Sequence, residues 1–194
     1  MKTPVINLIA IVFIAAIVAG CSSTPSRFYT LNSTASATGA PTVQYTVLVG
    51  PVSIPAEVDR PQFTVQAGPN RVAIDEFNRW AAPLKDNVGR VVAGDLAKLL
   101  GTPRVAVSPL ANFNPDYRVT ISIQRFVSEP GKAAEIDAVW TVRKSEGGMV
   151  RSGQTVANES VKGDNFDALA AAHSRALAKV SDDIAAAIRV EAGE

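Results

Sequence analysis

Three hydrophobic patterns follow one another along the chain. Val5 to Ala19 is an almost unbroken apolar run, interrupted only by Asn7. Ser22 to Thr42 is rich in Ser, Thr, Ala, Pro and Gly, with Arg27 its one charge and Phe28-Tyr29-Thr30-Leu31 its one sizeable apolar cluster. From Val43 onward the apolar residues recur every second position or every third to fourth, the spacings of a half-buried strand and an amphipathic helix. Val43, Tyr45, Val47 and Val49 predict a strand that Gly50-Pro51 punctuates, and Phe63, Val65 and Ala67 predict another. The turn residues Gly68-Pro69-Asn70, followed by Val72 and Ile74, make that second strand half of a hairpin.

Asp86 to Leu100 changes period: Val88, Val91, Val92, Leu96, Leu99 and Leu100 fall on one helical face, Gly101 stands at C′, and Pro103 blocks continuation. Arg104 to Val107 is a short strand candidate. The clearest alternation follows, with Tyr117, Val119, Ile121 and Ile123 on one face and Arg118, Thr120, Ser122 and Gln124 on the other. After Pro130-Gly131, Ala134, Ile136, Ala138, Trp140 and Val142 repeat it, and Gly147-Gly148 turns into a third strand near Met149 to Ala157. These three predict an antiparallel meander with one buried and one wet face. Phe166, Leu169, His173, Leu177, Val180, Ile184 and Ile188 return to helical spacing, with Asp164 the expected N-cap. The expected fold class is α+β, a mainly antiparallel sheet with two amphipathic helices packed on one face.

The N-terminal run sets the expected compartment. Lys2 followed by about 15 apolar residues is too short for a bilayer span and reads as a signal peptide. It ends in Val18-Ala19-Gly20-Cys21, which resembles the bacterial lipobox, so cleavage is expected before Cys21 and acylation on it. The expected organisation is a signal peptide over 1–20, a lipidated flexible tether over 21–42 and a single domain over 43–194. About 20 tether residues would reach roughly 65 Å extended and roughly 25 Å as a coil. Phe28 to Leu31 could instead pair onto a sheet edge. Ser22 and Ser23, in place of the Asp that retains such lipoproteins at the inner membrane, favour the outer membrane facing the periplasm.

Composition removes several function classes. Nineteen Lys+Arg against eighteen Asp+Glu offer no basic excess for nucleic acid, and one Cys with one His cannot build a zinc site. His173 lies on the apolar stripe of the last helix and reads as packed. Glu135 and Asp137 lie on a polar strand face and read as solvated, and neither a phosphate loop nor a G-x-S-x-G elbow occurs. An enzyme is not expected, nor any cofactor beyond the covalent lipid on Cys21. The stretch that is not generic runs from Gly50 to Leu84. Its prolines stiffen the backbone, and Asp59, Arg60, Pro61, Gln62, Arg79 and Trp80 form a candidate partner-binding set, since Trp and Arg are enriched in binding hot spots. Two readings of Trp80 are open: a loop tryptophan exposed to a partner, or a cover over one end of the core.

A family resemblance rests on these residues. The lipobox, Phe28-Tyr29-Thr30-Leu31, Val49-Gly50-Pro51-Val52 with Ile54-Pro55, Asp59-Arg60-Pro61-Gln62, Glu76 through Leu84, and Asp116-Tyr117-Arg118-Val119 together resemble the ABC-type transport auxiliary lipoproteins, the PqiC-like family. The resemblance implies a non-enzymatic docking component of an MCE-type lipid transport system, with a periplasm-spanning MCE-domain protein as partner. It also implies the outer membrane as anchor and a homo-oligomer matched to a symmetric partner. Two other classes remain: a lipoprotein that itself carries lipid, and a structural or regulatory one that binds cell wall or a periplasmic synthase.

Overall fold

A computed structural model describes residues 24–37, 39, 41–148 and 150–193. The expected signal peptide, Cys21 and Met149 lie outside the described residues. Two sheets share one core. The larger is built from β2 (Val47–Ser53), β5 (Val105–Val107), β6 (Tyr117–Glu129), β7 (Ala133–Lys144) and β8 (Val150–Ser160), in the order β5-β2-β6-β7-β8. The smaller holds β1 (Arg27–Tyr29), β4 (Arg71–Trp80) and β3 (Gln62–Gly68), in the order β1-β4-β3. Helix α1 (Leu84–Leu100) packs on β2 and β5, and α2 (Phe166–Ala192) lies across β7 and β8. The fold is α+β, as the periodicities predict, but the sheets are mixed. β2 runs parallel to both β5 and β6, and β1 runs parallel to β4. The long pairings β3/β4, β6/β7 and β7/β8 are antiparallel, so the sheets are mainly antiparallel as expected. Alternation reports which face is buried and says nothing about strand direction, so the shorter parallel pairings were not legible in it.

The meander matches its pattern closely. Tyr117, Val119, Ile121 and Ile123 are buried, as are Ala134, Ile136, Ala138, Trp140 and Val142. Between Ile123 and Arg125 the β6/β7 register shifts, after which Phe126 and Ser128 take the buried positions. One extra residue on a strand changes which face its later side chains occupy. On β8, Gly153 leaves room for the Trp140 ring, which a Cβ there would strike, and the Trp140 indole N–H donates to Thr155 Oγ1 at 3.0 Å. β2 continues through Gly50-Pro51 with a register shift between Val49 and Val52 instead of stopping there. Its entry is locked by Asp116, which accepts from the Thr46 backbone N–H and hydroxyl, both at 2.7 Å. The Thr46 backbone bond, then its hydroxyl, lower the Asp116 pKa.

Both helices end in glycine. Gly101 and Gly193 sit in the left-handed region at φ 63° and 82°, their N–H groups returning to the last turn. The cap of α2 is Asn165, one residue beyond the expected Asp164; its side chain accepts from the Ala168 N–H at 2.8 Å. Among the described residues no helix is long and apolar enough to cross a membrane.

The segment expected as a tether is partly built into the body, so the folded region starts at Arg27 and not at residue 43. Arg27–Tyr29 pair onto β4, the sheet-edge alternative for Phe28 to Leu31. Tyr29 and Leu31 are buried at 8% and 2% exposure. The next residues cross both helices. Asn32 donates its N–H to Ser174 Oγ (3.1 Å) on α2, and Thr34 Oγ1 donates to the Ser174 carbonyl (3.1 Å). Asp95 of α1, fully buried, accepts from Ser33 Oγ at 2.7 Å, the Ala35 N–H at 2.9 Å and Ser181 Oγ at 3.3 Å. A buried carboxylate is tolerated because these donors replace water. Residues 30–35 thus form a strap tying α1 to α2.

Candidate functional site

The two proline-containing segments singled out in the sequence meet at one place. Pro55 accepts the N–H groups of Val58 and Asp59, both at 3.1 Å, which turns the chain after β2. Val58 is buried at 4% exposure and plugs that turn onto the core. The chain then enters β3, and the Trp80 N–H donates to the Pro61 carbonyl at 2.6 Å while Gln62 pairs with Arg79. On the other side the Ala81 N–H donates to the Tyr29 carbonyl at 2.8 Å. The end of β4 is therefore held between β1 and β3. After it, Pro83 opens α1, its carbonyl accepting from Asp86 and Asn87 at 3.0 and 3.1 Å.

This junction encloses an open groove of about 490 Å³ whose walls are Asp59, Arg60 and Pro61 on one side and Trp80 to Lys85 on the other. Four of the six expected partner-binding residues, Asp59, Arg60, Pro61 and Trp80, line it. Gln62 and Arg79 do not line it. They pair beside it, and Gln62 donates to Glu76 Oε2 at 3.1 Å. Asp59 and Pro61 are exposed, and Arg60 and Arg79 are half-buried with each Nε inside and without a hydrogen-bond partner.

Trp80 is not a loop residue. It ends β4 at 4% exposure, stacked on Phe63 with centroids 4.0 Å apart and planes at 29°. Its edge faces Phe126 at 6.2 Å, and Phe63 meets Tyr29 edge-on at 5.4 Å and Phe166 at 5.1 Å. The cover reading of Trp80 describes its position, and the expected exposed loop tryptophan is corrected. Trp80, 4% exposed, contributes to the groove lining with Ala81, Pro83 and Leu84. The Ala81-Ala82-Pro83 that follows Trp80 looks like a loop in sequence, and nothing local signals that β1 closes over it.

Other chemical candidates sit elsewhere. His173 is fully buried, stacked on Phe126 at 3.8 Å and 10°, with Nε2 at 2.8 Å from Ser128 Oγ. Burial lowers its pKa to about 3, so it is neutral. Nδ1 has no partner, which favours the tautomer that places the proton on Nε2, since a buried lone pair is less costly than a buried bare N–H. Glu135 pairs with Arg125 at 2.8 Å, and Asp137 accepts from Gln154 Nε2 at 2.7 Å. Among the described residues no group of three or more His, Cys, Asp and Glu is arranged to hold a metal. Beside the groove, burial opposes ionisation of Asp75, but the N–H groups of Asn78 and Phe77, at 2.8 and 2.9 Å, outweigh it and lower its pKa.

Comparison with known proteins agrees with this fold. A solved structure described as an uncharacterized protein superposes with a TM-score of 0.70 at 19% identity, covering 85% of this chain and 99% of its own. A Xanthomonas campestris protein of the DUF330 family gives 0.70 at 21%, covering 87% of this chain and 100% of its own. PelC from Paraburkholderia phytofirmans, solved as a dodecamer, is a more remote likeness at 0.43 and 14%, covering 78% of this chain and 90% of its own. No curated protein matches the chain. The family model for the ABC-type transport auxiliary lipoprotein component matches residues 29–185, a span running from the end of β1, through the strap, both sheets and the groove, into α2. The chain belongs to the ABC-type transport auxiliary lipoprotein family.

Proposed function

We propose that this chain is a non-enzymatic docking component of an MCE-type ABC lipid transport system, anchored by acylated Cys21 to the periplasmic face of the outer membrane. Its groove takes a segment of the periplasm-spanning MCE-domain protein. The observation that carries this reading is the convergence of Asp59-Arg60-Pro61 and Trp80 to Lys85, distant in sequence, on one open groove. The groove joins an apolar floor to a rim of both charges, the composition of a protein-docking site. Pro61 and Pro83 hold its two walls in one backbone conformation, which lowers the entropy lost when a partner binds. Self-association belongs to the same reading, because a symmetric partner presents repeated copies of one site.

The test is a mild-detergent pull-down of the lipoprotein from its own envelope, with bound proteins and extracted lipids both identified. An MCE-domain protein should be recovered by the unaltered chain and lost with the exposed-rim variants Asp59→Arg and Lys85→Glu, whose melting temperatures stay unchanged. Stoichiometric lipid without that partner would refute docking and favour a lipid carrier. Retention on peptidoglycan alone would favour the structural class.

A further inference from the structure

Very little chain joins the expected lipid anchor to the folded body. If Cys21 is acylated, as the proposed function holds, five residues separate it from Arg27, where β1 is already paired to β4. The six steps from Cys21 to Arg27 span at most about 20 Å. The side of the fold where β1 enters is therefore kept at the bilayer, in place of the long stand-off that a free segment over 21–42 would allow.

That side carries two exposed phenylalanines. The parallel register sets Arg27 beside Asn78 and Phe28 beside Arg79, so the chain enters level with Phe77. The next pair, Tyr29 and Trp80, is buried. Side chains alternate along a strand, which turns Phe28 outward, while its register partner Arg79 is half-buried with its Nε inside. Phe28 is 64% exposed and Phe77 46% exposed, and no ring contact of Phe28 or Phe77 occurs in the aromatic cluster formed by Tyr29, Phe63, Trp80 and Phe166. β1 is an edge strand, and among the described residues no further strand pairs beyond it. Exposed Arg27 precedes Phe28 in β1, and half-buried Arg79 is the register partner of Phe28 in β4. Aromatic rings flanked by guanidinium groups suit the head-group region of a bilayer, where the rings enter the acyl boundary and the cations meet phosphates.

We propose that the Phe28/Phe77 edge of the three-stranded sheet, with Arg27 and Arg79, rests in the head-group layer of the bilayer that holds the Cys21 lipid. The lipid supplies the affinity, and this edge supplies the orientation. β1 and β4 both run from this edge toward the groove, which sets the groove about 10 Å further along the strands by strand rise. The docking site is then presented at a fixed height and direction.

The experiment uses the lipidated protein in vesicles of phosphatidylethanolamine and phosphatidylglycerol brominated near the top of the acyl chains. Phe28→Trp adds an indole at an exposed position, and its signal is read as the difference from the unaltered protein, which contains Trp80 and Trp140. Its emission should shift to the blue and be quenched about twofold relative to unbrominated vesicles. Val156→Trp, at another exposed site (64%) on the edge strand β8 of the other sheet, should show neither effect. Mass spectrometry of the same sample reports the Cys21 lipid. An acylated protein that floats with the vesicles but leaves the Phe28→Trp indole unquenched overturns the orientation proposal alone. A protein with no lipid on Cys21 overturns both this proposal and the anchoring on which it rests.

Discussion

Replacing Trp80 by Ala separates a residue that holds the fold from one that grips a partner. A tryptophan removes about 200 Å² from water, which at about 25 cal/mol per Å² is about 5 kcal/mol, an upper value because the unfolded chain is not fully extended. Trp80 is 4% exposed and stacks on Phe63 at 4.0 Å, and truncations of this kind cost about 3 to 5 kcal/mol. One side of the ring borders the groove, so water can enter part of the space left behind, and the lower half of that range is expected. With a urea m-value of about 2 kcal/mol per M, the midpoint should fall by roughly 1.5 to 2 M. Trp80→Phe, which keeps a ring against Phe63, should recover more than half of that loss. Equilibrium urea denaturation followed by far-UV circular dichroism measures both. An unchanged midpoint in Trp80→Ala, together with loss of partner capture, would refute the reasoning, because the tryptophan would then be a binding anchor and not a support. A protein that melts early yet captures its partner normally when folded would leave Trp80 as scaffold and move recognition to the charged rim.

The remaining predictions concern buried polar groups. Unfolded His173 takes up a proton below about pH 6.5, whereas the folded residue does so only near about 3. Between those values the unfolded chain binds more protons, so stability is complete above the upper pH and falls as the pH drops through the window. His173→Phe should flatten that part of the stability-versus-pH curve, and an unchanged slope would count against a neutral buried imidazole. Asp95→Ala leaves Ser33, Ala35 and Ser181 without their shared acceptor and should cost about 3 kcal/mol. Amide exchange at Asn32 and Ala35 should accelerate well ahead of exchange in β7. Uniform acceleration throughout would show that the strap is not a separately opening unit.

How legible each element was depended on whether its causes were local. The α1 boundary was readable because Gly101 and Pro103 stand right after the last apolar position, and Gly101 adopts the left-handed cap at φ 63°. The faces of β6 and β7 were readable because solvent covers one side and the core the other, so polarity alternates. The groove was half legible: unusual prolines and the Arg-Trp pair marked Asp59 to Gln62 and Arg79 to Leu84 as a place apart. That they form opposite walls of one cavity depends on the β3/β4 pairing and on the Trp80–Pro61 hydrogen bond. The participant read only as an alternative is the segment 27–35. Its Ser, Thr and Asn residues look like linker, because partners such as Asp95 and Ser174 lie 60 or more positions away. The apolar Phe28 to Leu31 cluster was its signal, and it gave the sheet-edge pairing but not the strap that follows.

The sequence by itself determined the main kinds of element, the buried faces of β6 and β7, the C-terminal end of α1 and the family, since all of these follow from side-chain chemistry at fixed short spacing. Strand direction, the order β5-β2-β6-β7-β8, the docking of β1 onto β4 and the burial of Trp80 were decided only by the tertiary structure. The reason is physical. Periodicity records the contrast between water and core that each residue meets, and that contrast is the same for a parallel or an antiparallel neighbour. Which distant segment supplies the neighbour is settled by hydrogen bonds and packing across the whole chain.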